Sequence, residues 1–213
     1  MHQSPGLLQP RLLARLRRSF LGNPRNHRNY YSTRAPGAES PLSTPAELTH
    51  VDPQSGRLNM VDVSDKPPTR RQALARGQVL LHDRKAFEAV QRQAIRKGDV
   101  LTVGQVAGIQ GAKLTAQLIP LCHPIALTDI QVQLRLNEAD LAVELESSTM
   151  CAAEKTGVEM EALTAVAVAG LTVIDMCKSV ARGATLTNVR VVYKTGGRSG
   201  TYQEASALPE QPL

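Results

Sequence analysis

The stretch from Thr156 to Lys178 constrains this chain most, because no charged side chain lies between Glu161 and Asp175 while acids and a lysine gather at its two ends. A helix that is apolar around its whole circumference belongs in an interior, packed from all sides. The uncharged run falls short of the ~20 residues a bilayer span needs. Ala162, Ala165, Ala167, Ala169 and Gly170 let neighbouring elements approach closely. The pattern predicts a buried core helix, with Thr156 as N-cap and Glu159 three positions on in a capping box. Glu161 and Asp175 would then stand roughly 21 Å apart along the axis. One small-molecule site on one chain does not use both ends. Either the ends serve different purposes, or a second copy completes the site.

The rest of the chain supplies a sheet to receive that helix. In residues 129–136, Ile130, Val132, Leu134 and Leu136 alternate with polar side chains, and Leu141, Val143 and Leu145 repeat the pattern after a polar turn. That is an antiparallel hairpin with one wet face. Residues 71–81 and 189–193 read as further extended segments, and 59–63 as a short strand or arm. An amphipathic helix is expected over 84–96, with Phe87, Val90 and Ala94 on one face and Gly98 as its stop. A second helix should run from about Leu101 to Leu118, ended by Pro120. The fold class is therefore α+β, an antiparallel sheet with helices packed on one face.

Charge divides the chain. Residues 1–38 hold seven Arg and no acid, and removing these seven from the 25 Lys and Arg leaves 18 bases against 19 acids. Leu and Phe interleaved with Arg, without acids, is the pattern of a mitochondrial transit peptide. The alternative is a basic tail that touches nucleic acid. Residues 39–47, rich in Pro and Ser, read as a linker, 48–202 as the folded domain and 203–213 as a flexible tail. The absence of a long apolar run near the start argues against secretion. Three dispersed cysteines make neither a disulfide framework nor a metal knuckle. Aromatic residues are 3% of the chain, with no Trp, which disfavours a base-stacking platform.

Several residues are equipped for chemistry. Asp175 and Lys178 lie at i and i+3, side by side on one helical face. Flanking an apolar helix, they are expected to be part-buried, a setting in which an acid beside an amine serves proton transfer. Glu159 and Glu161 begin the same helix, where capping and the macrodipole are the structural alternatives. Cys122 and His123 sit in a stiff turn between Pro120 and Pro124, a weak zinc signal at most. Lys194 to Gly200 form a basic, Gly-rich segment after a strand, able to wrap an anion with backbone N–H groups.

These motifs together resemble the cyclic pyranopterin monophosphate synthase (MoaC) family of molybdenum cofactor biosynthesis. The resemblance rests on Met60-Val61-Asp62-Val63-Ser64, Lys97-Gly98-Asp99-Val100, Ala107-Gly108-Ile109-Gln110, Leu121-Cys122-His123-Pro124, Thr156-Gly157-Val158-Glu159-Met160-Glu161, Asp175-Met176-Cys177-Lys178 and the Gly196 to Gly200 loop, in that order. It implies a ferredoxin-like subunit and a lyase that converts 3′,8-cyclo-7,8-dihydro-GTP to cyclic pyranopterin monophosphate and diphosphate. It implies a homohexamer with the site at a dimer interface, in the mitochondrial matrix for a eukaryotic form. Asp175 would be the principal acid/base, with Lys178 and Lys97 as catalytic lysines. Leu121, Cys122, His123, Met160, Glu161 and Glu159 would line the substrate pocket, and Arg71 and Lys194 would meet the triphosphate. No resident metal or cofactor is implied, although Mg2+ can accompany the triphosphate. An upstream radical SAM GTP cyclase is the implied supplier of substrate, and neither nucleic acid nor membrane is an implied partner.

Two other classes fit parts of the sequence. A ferredoxin-like RNA-binding module would expose aromatics on its sheet, and a metal-dependent hydrolase would use His123 with Glu159 or Glu161.

Overall fold

The computed structural model describes residues 50–52 and 55–204. The expected leader and linker lie outside the described residues, as does the tail beyond Glu204. In order the elements are β1 (Thr69–Leu80), α1 (Arg84–Gln91), α2 (Val100–Lys113), α3 (Thr115–Leu118), β2 (Asp129–Asn137), β3 (Ala142–Glu154), α4 (Glu159–Cys177), β4 (Thr185–Thr195) and β5 (Tyr202–Gln203). The strands form one sheet in the order β2-β3-β1-β4-β5, with every neighbouring pair antiparallel. Two strand–helix–strand units interleave their strands this way in the ferredoxin-like arrangement, so the expected fold class holds.

Alternation decides which face is covered. Ala73, Ala75 and Val79 of β1, Val132 of β2 and Val143 and Leu145 of β3 are buried beneath α2 and α4. The opposite face carries Arg76 and Glu146, register partners joined by a 2.6 Å ion pair. Contact between α2 and α4 depends on missing side chains: a Cβ on Gly108 would stand 3.0 Å from the Ala165 carbonyl oxygen. Helix α4 has 19 residues of mean hydropathy 1.6, enough by length and composition to cross a bilayer. Here it packs on β1, β3, β4 and α2 as a core helix.

Several expectations need correcting. Helix α4 is not buried on all sides: one sheet and one neighbouring helix leave Leu171 59% exposed. The Thr156 capping box does not form, since α4 begins after Val158 without a side-chain cap. Helix α1 ends at Gln91, because Gln93 adopts φ 53° and redirects the chain. Ile95 rather than Ala94 then reaches the core, and Gly98, at φ 107°, instead precedes the Asp99 cap of α2. The second helix breaks after Lys113; of the two readings for residues 59–63, the arm holds and the strand does not. At the break, the Thr115 hydroxyl donates to the Ala112 carbonyl at 3.0 Å, a local competitor for helical bonding.

Candidate active site

The first turn of α4 is anchored from below. Ser147 and Thr149 on β3 are fully buried, and their hydroxyls donate to the carbonyls of Ala162 (2.7 Å) and Val158 (3.0 Å). These bonds satisfy two buried hydroxyls and pin the helix start to the sheet. Glu159, Met160 and Glu161 are thereby held where two clefts meet.

The first cleft, about 430 Å³, is walled by Met160 and Glu161, by Leu121, Cys122 and His123 from the turn after α3, and by Val61 and Val63. Glu161 is only 3% exposed, and its buried Oε2 has no hydrogen-bond partner among the described residues. Burial raises its carboxyl to about 7; its own backbone N–H pulls the other way, and the charge of Glu159 adds to the rise. A carboxyl in that range both holds and releases a proton near neutrality. Burial, and then Glu161, push the Cys122 thiol up, so it stays protonated.

The second cleft, about 440 Å³, gathers Lys66, Arg71, Lys155, Lys194 and Arg198 beside Gly196 and Gly197. Glu159 is the only carboxylate among the described residues lining it, and it accepts a 2.9 Å hydrogen bond from Lys194. That ion pair takes the place of the capping role. Lys66, Thr156, Gly157 and Glu159 line both clefts, which are therefore contiguous. The arrangement suits a ligand with a planar or cyclic head and a polyanionic tail.

A third cluster lies at the far end of α4. Asp175 accepts from Lys178 Nζ through Oδ1 at 2.6 Å and from Lys97 Nζ through Oδ2 at 2.7 Å. Lys97 also donates to the Asp175 carbonyl at 2.7 Å. These side chains are 46–64% exposed, so the expected partial burial is not found in the single chain. Hydrogen bonds from Lys178, then Lys97, hold the Asp175 carboxyl down at about 2. The fold thus joins Lys97 to the Asp175–Lys178 pair, but not this trio to the clefts. Lys66 and Lys155 went unrecognised as site residues in the sequence. Their only signal is position: Lys66 follows the Met60–Ser64 motif and Lys155 precedes Thr156.

The competing classes find no such support. Among the described residues, no three His, Cys, Asp or Glu side chains gather as a ligand set around His123. The open sheet face presents Arg76, Gln78, Gln133, Arg135, Glu144 and Glu146 where an RNA-binding sheet would carry aromatics.

Comparison with known proteins decides the family. The MoaC family pattern matches residues 60–197. The chain belongs to the MoaC family. A Thermomicrobium roseum protein named cyclic pyranopterin monophosphate synthase is 52% identical over 158 residues, covering 74% of this chain and 93% of that one. An Arabidopsis thaliana protein, named cyclic pyranopterin monophosphate synthase, mitochondrial, is 52% identical over 157 residues, which are 74% of this chain and 57% of that protein. A mouse protein named molybdenum cofactor biosynthesis protein 1 is 50% identical over 187 residues, 86% of this chain but 29% of its own length. This MoaC-family chain therefore spans most of the bacterial relative and only part of the plant and mouse proteins. The matched span contains the Lys97–Asp175–Lys178 trio and every residue named above for the first cleft.

Proposed function

We propose that the chain is a lyase of molybdenum cofactor biosynthesis that converts (8S)-3′,8-cyclo-7,8-dihydroguanosine 5′-triphosphate to cyclic pyranopterin monophosphate and diphosphate. The observation that carries this reading is the shared wall: a cavity with a buried carboxyl poised at about 7 opens directly into a cleft of five cationic side chains. The reaction must open and reclose a purine-derived ring, which needs proton transfers from positioned groups. A ribose oxygen then bonds to the α-phosphorus, the bond from that phosphorus to the bridging oxygen breaks, and diphosphate leaves with the electron pair. Cations around the departing charge stabilise that step.

In this reading the base-derived rings sit among Leu121, Cys122, His123, Met160 and Glu161. The triphosphate lies against Arg71, Lys194 and their neighbours, with Glu159 orienting Lys194. Asp175, the principal acid/base, enters as the carboxylate, and Lys178 and Lys97 return protons. Because the trio stands at the opposite end of α4 from the clefts, a second copy supplies it. The assembly is a homohexamer with sites at dimer interfaces. Apolar surface on the helical layer supports association: Val103, Val106 and Leu171 are 42%, 61% and 59% exposed.

No cofactor of the protein's own is invoked. Among the described residues, the one carboxylate lining the cationic cleft is already paired with Lys194, so any Mg2+ arrives on the triphosphate. The Arg-rich, acid-free first 38 residues support import into the mitochondrial matrix. A radical SAM GTP cyclase there supplies the substrate. Incubating the purified protein with the cyclic dihydro-GTP and following pterin product and diphosphate tests the reading. Equal amounts of the two products are expected, and an unchanged substrate pool contradicts it.

A further inference from the structure

The Gly-rich loop after β4 invites the bland reading of a flexible turn whose N–H groups face an anion. Its second glycine is doing something more specific. A Cβ built on Gly197 would occupy the place of Arg71 Nη1 and stand 2.8 Å from Arg71 Cζ. At Gly196, a Cβ would run into the Arg70 carbonyl oxygen and lie 2.9 Å from Arg71 Cδ. The Arg71 side chain therefore lies along the two bare Cα positions, with its guanidinium over Gly197.

Little else holds that guanidinium in place. Its Nε donates to the Glu154 carbonyl across a long 3.4 Å, and among the described residues no carboxylate pairs with it. The β1–β3 register shifts between Thr69 and Arg71, an irregularity of the kind that re-aims a side chain. We infer that Gly197 is a positioning residue: its missing side chain forms the seat on which the Arg71 guanidinium rests, leaving the two Nη groups to face a phosphate chain. The identity of the natural ligand rests on the function proposed above; the seat itself requires only an oligophosphate.

Gly200 supplies the comparison. It also has a left-handed backbone, φ 68° against 77° for Gly197, yet nothing lies within 4 Å of a Cβ placed there. Alanine at either position strains the backbone alike, but only alanine at 197 displaces the guanidinium. Gly197→Asn serves beside Gly197→Ala, because Asn tolerates a left-handed conformation and still carries the intruding Cβ.

The test measures binding of inorganic triphosphate to the full-length protein by titration calorimetry at fixed ionic strength, with a thermal melt to confirm folding. Losing a charge-assisted contact weakens binding by about tenfold, so Gly197→Ala, Gly197→Asn and Arg71→Ala should each lose about that much. Adding Gly197→Ala to Arg71→Ala should cost nothing further, whereas any loss from Gly200→Ala should add in full to that of Arg71→Ala. In turnover, Gly197→Ala should raise KM and leave kcat within about twofold. Wild-type affinity in both Gly197 variants, or full additivity with Arg71→Ala, overturns the seat, as does wild-type protein that binds no triphosphate. Wild-type protein that shows the non-additive cycle but does not turn over the cyclic nucleotide overturns the proposed activity and leaves the seat standing.

Discussion

Lys97 Nζ lies 2.7 Å from Asp175 Oδ2 although 78 positions separate the two residues. Lys97 precedes α2 and Asp175 falls near the end of α4, so the packing of those two helices creates the pair. Lys178 closes on the other carboxylate oxygen from one turn away. The result is one anion between two cations, with all three side chains open to solvent.

Removing a proton-transfer group costs ~10²–10⁴-fold, so Asp175→Ala, Lys178→Ala and Lys97→Ala should each lose about that much turnover. Exposed ion pairs add little stability, so the melting temperatures should stay close to wild type. Steady-state turnover beside a thermal melt checks both halves. Near-normal rates would refute the assignment.

Asp175 should remain ionised well below the ordinary carboxylate range, since its value is about 2 against a usual 3.8. The stabilisation it brings is present above 3.8 and disappears as pH falls toward 2. Carbon-detected NMR of its side-chain carboxyl should show this low titration, and Lys178→Ala should move it upward. An unmoved midpoint would mean that Lys178 is not what holds it.

Glu161 has the opposite sign. Its folded value is raised from 4.5 to about 7, so the folded state retains a proton that the unfolded chain releases, and stability falls as pH rises across that window. Glu161→Gln removes this penalty. It should therefore raise stability at pH 8 by on the order of 3 kcal/mol and change it little at pH 4. Denaturant melts at the two pH values check this. Turnover should nevertheless fall, because the amide cannot exchange the proton.

The cationic cleft should govern affinity more than rate. In the proposed reading Lys194→Ala and Arg71→Ala each remove one charged contact to the triphosphate, and each should raise KM roughly 10-fold or more. Both should also weaken product inhibition by diphosphate. Initial rates at several diphosphate concentrations check the pair, and an unaltered KM would place the phosphates elsewhere.

The two strands of the hairpin were legible because apolar and polar residues alternate along them, and the core helix because no charged side chain lies between Glu161 and Asp175. Asp175 and Lys178 could be paired from their spacing alone. Other features depended on geometry that spacing does not encode. The left-handed turn at Gln93 moved Ile95 into the core in place of Ala94. Glu159 turned from a cap to a partner of Lys194, 35 positions away. Part-burial of Asp175 is the expectation from the apolar helix beside it, but Met176 and Cys177, 4% and 0% exposed, take the core side of that helix end and Asp175 faces outward. The motif resemblance named most of the pocket residues, yet Lys66 and Lys155 became visible only when β1 and the start of α4 came together around one cleft.

The most direct test of a site shared between copies uses mixed assemblies. Lys97 and Asp175 belong to one side of the site, so the informative partners are Asp175→Ala and Glu161→Gln, at opposite ends of α4. Each variant alone should be nearly inactive. After unfolding and co-refolding, with mixed oligomers verified by mass spectrometry, activity should return to a sizeable fraction of wild type, since some interfaces then pair an intact cleft with an intact trio. Verified mixed oligomers without any recovery would contradict a composite site.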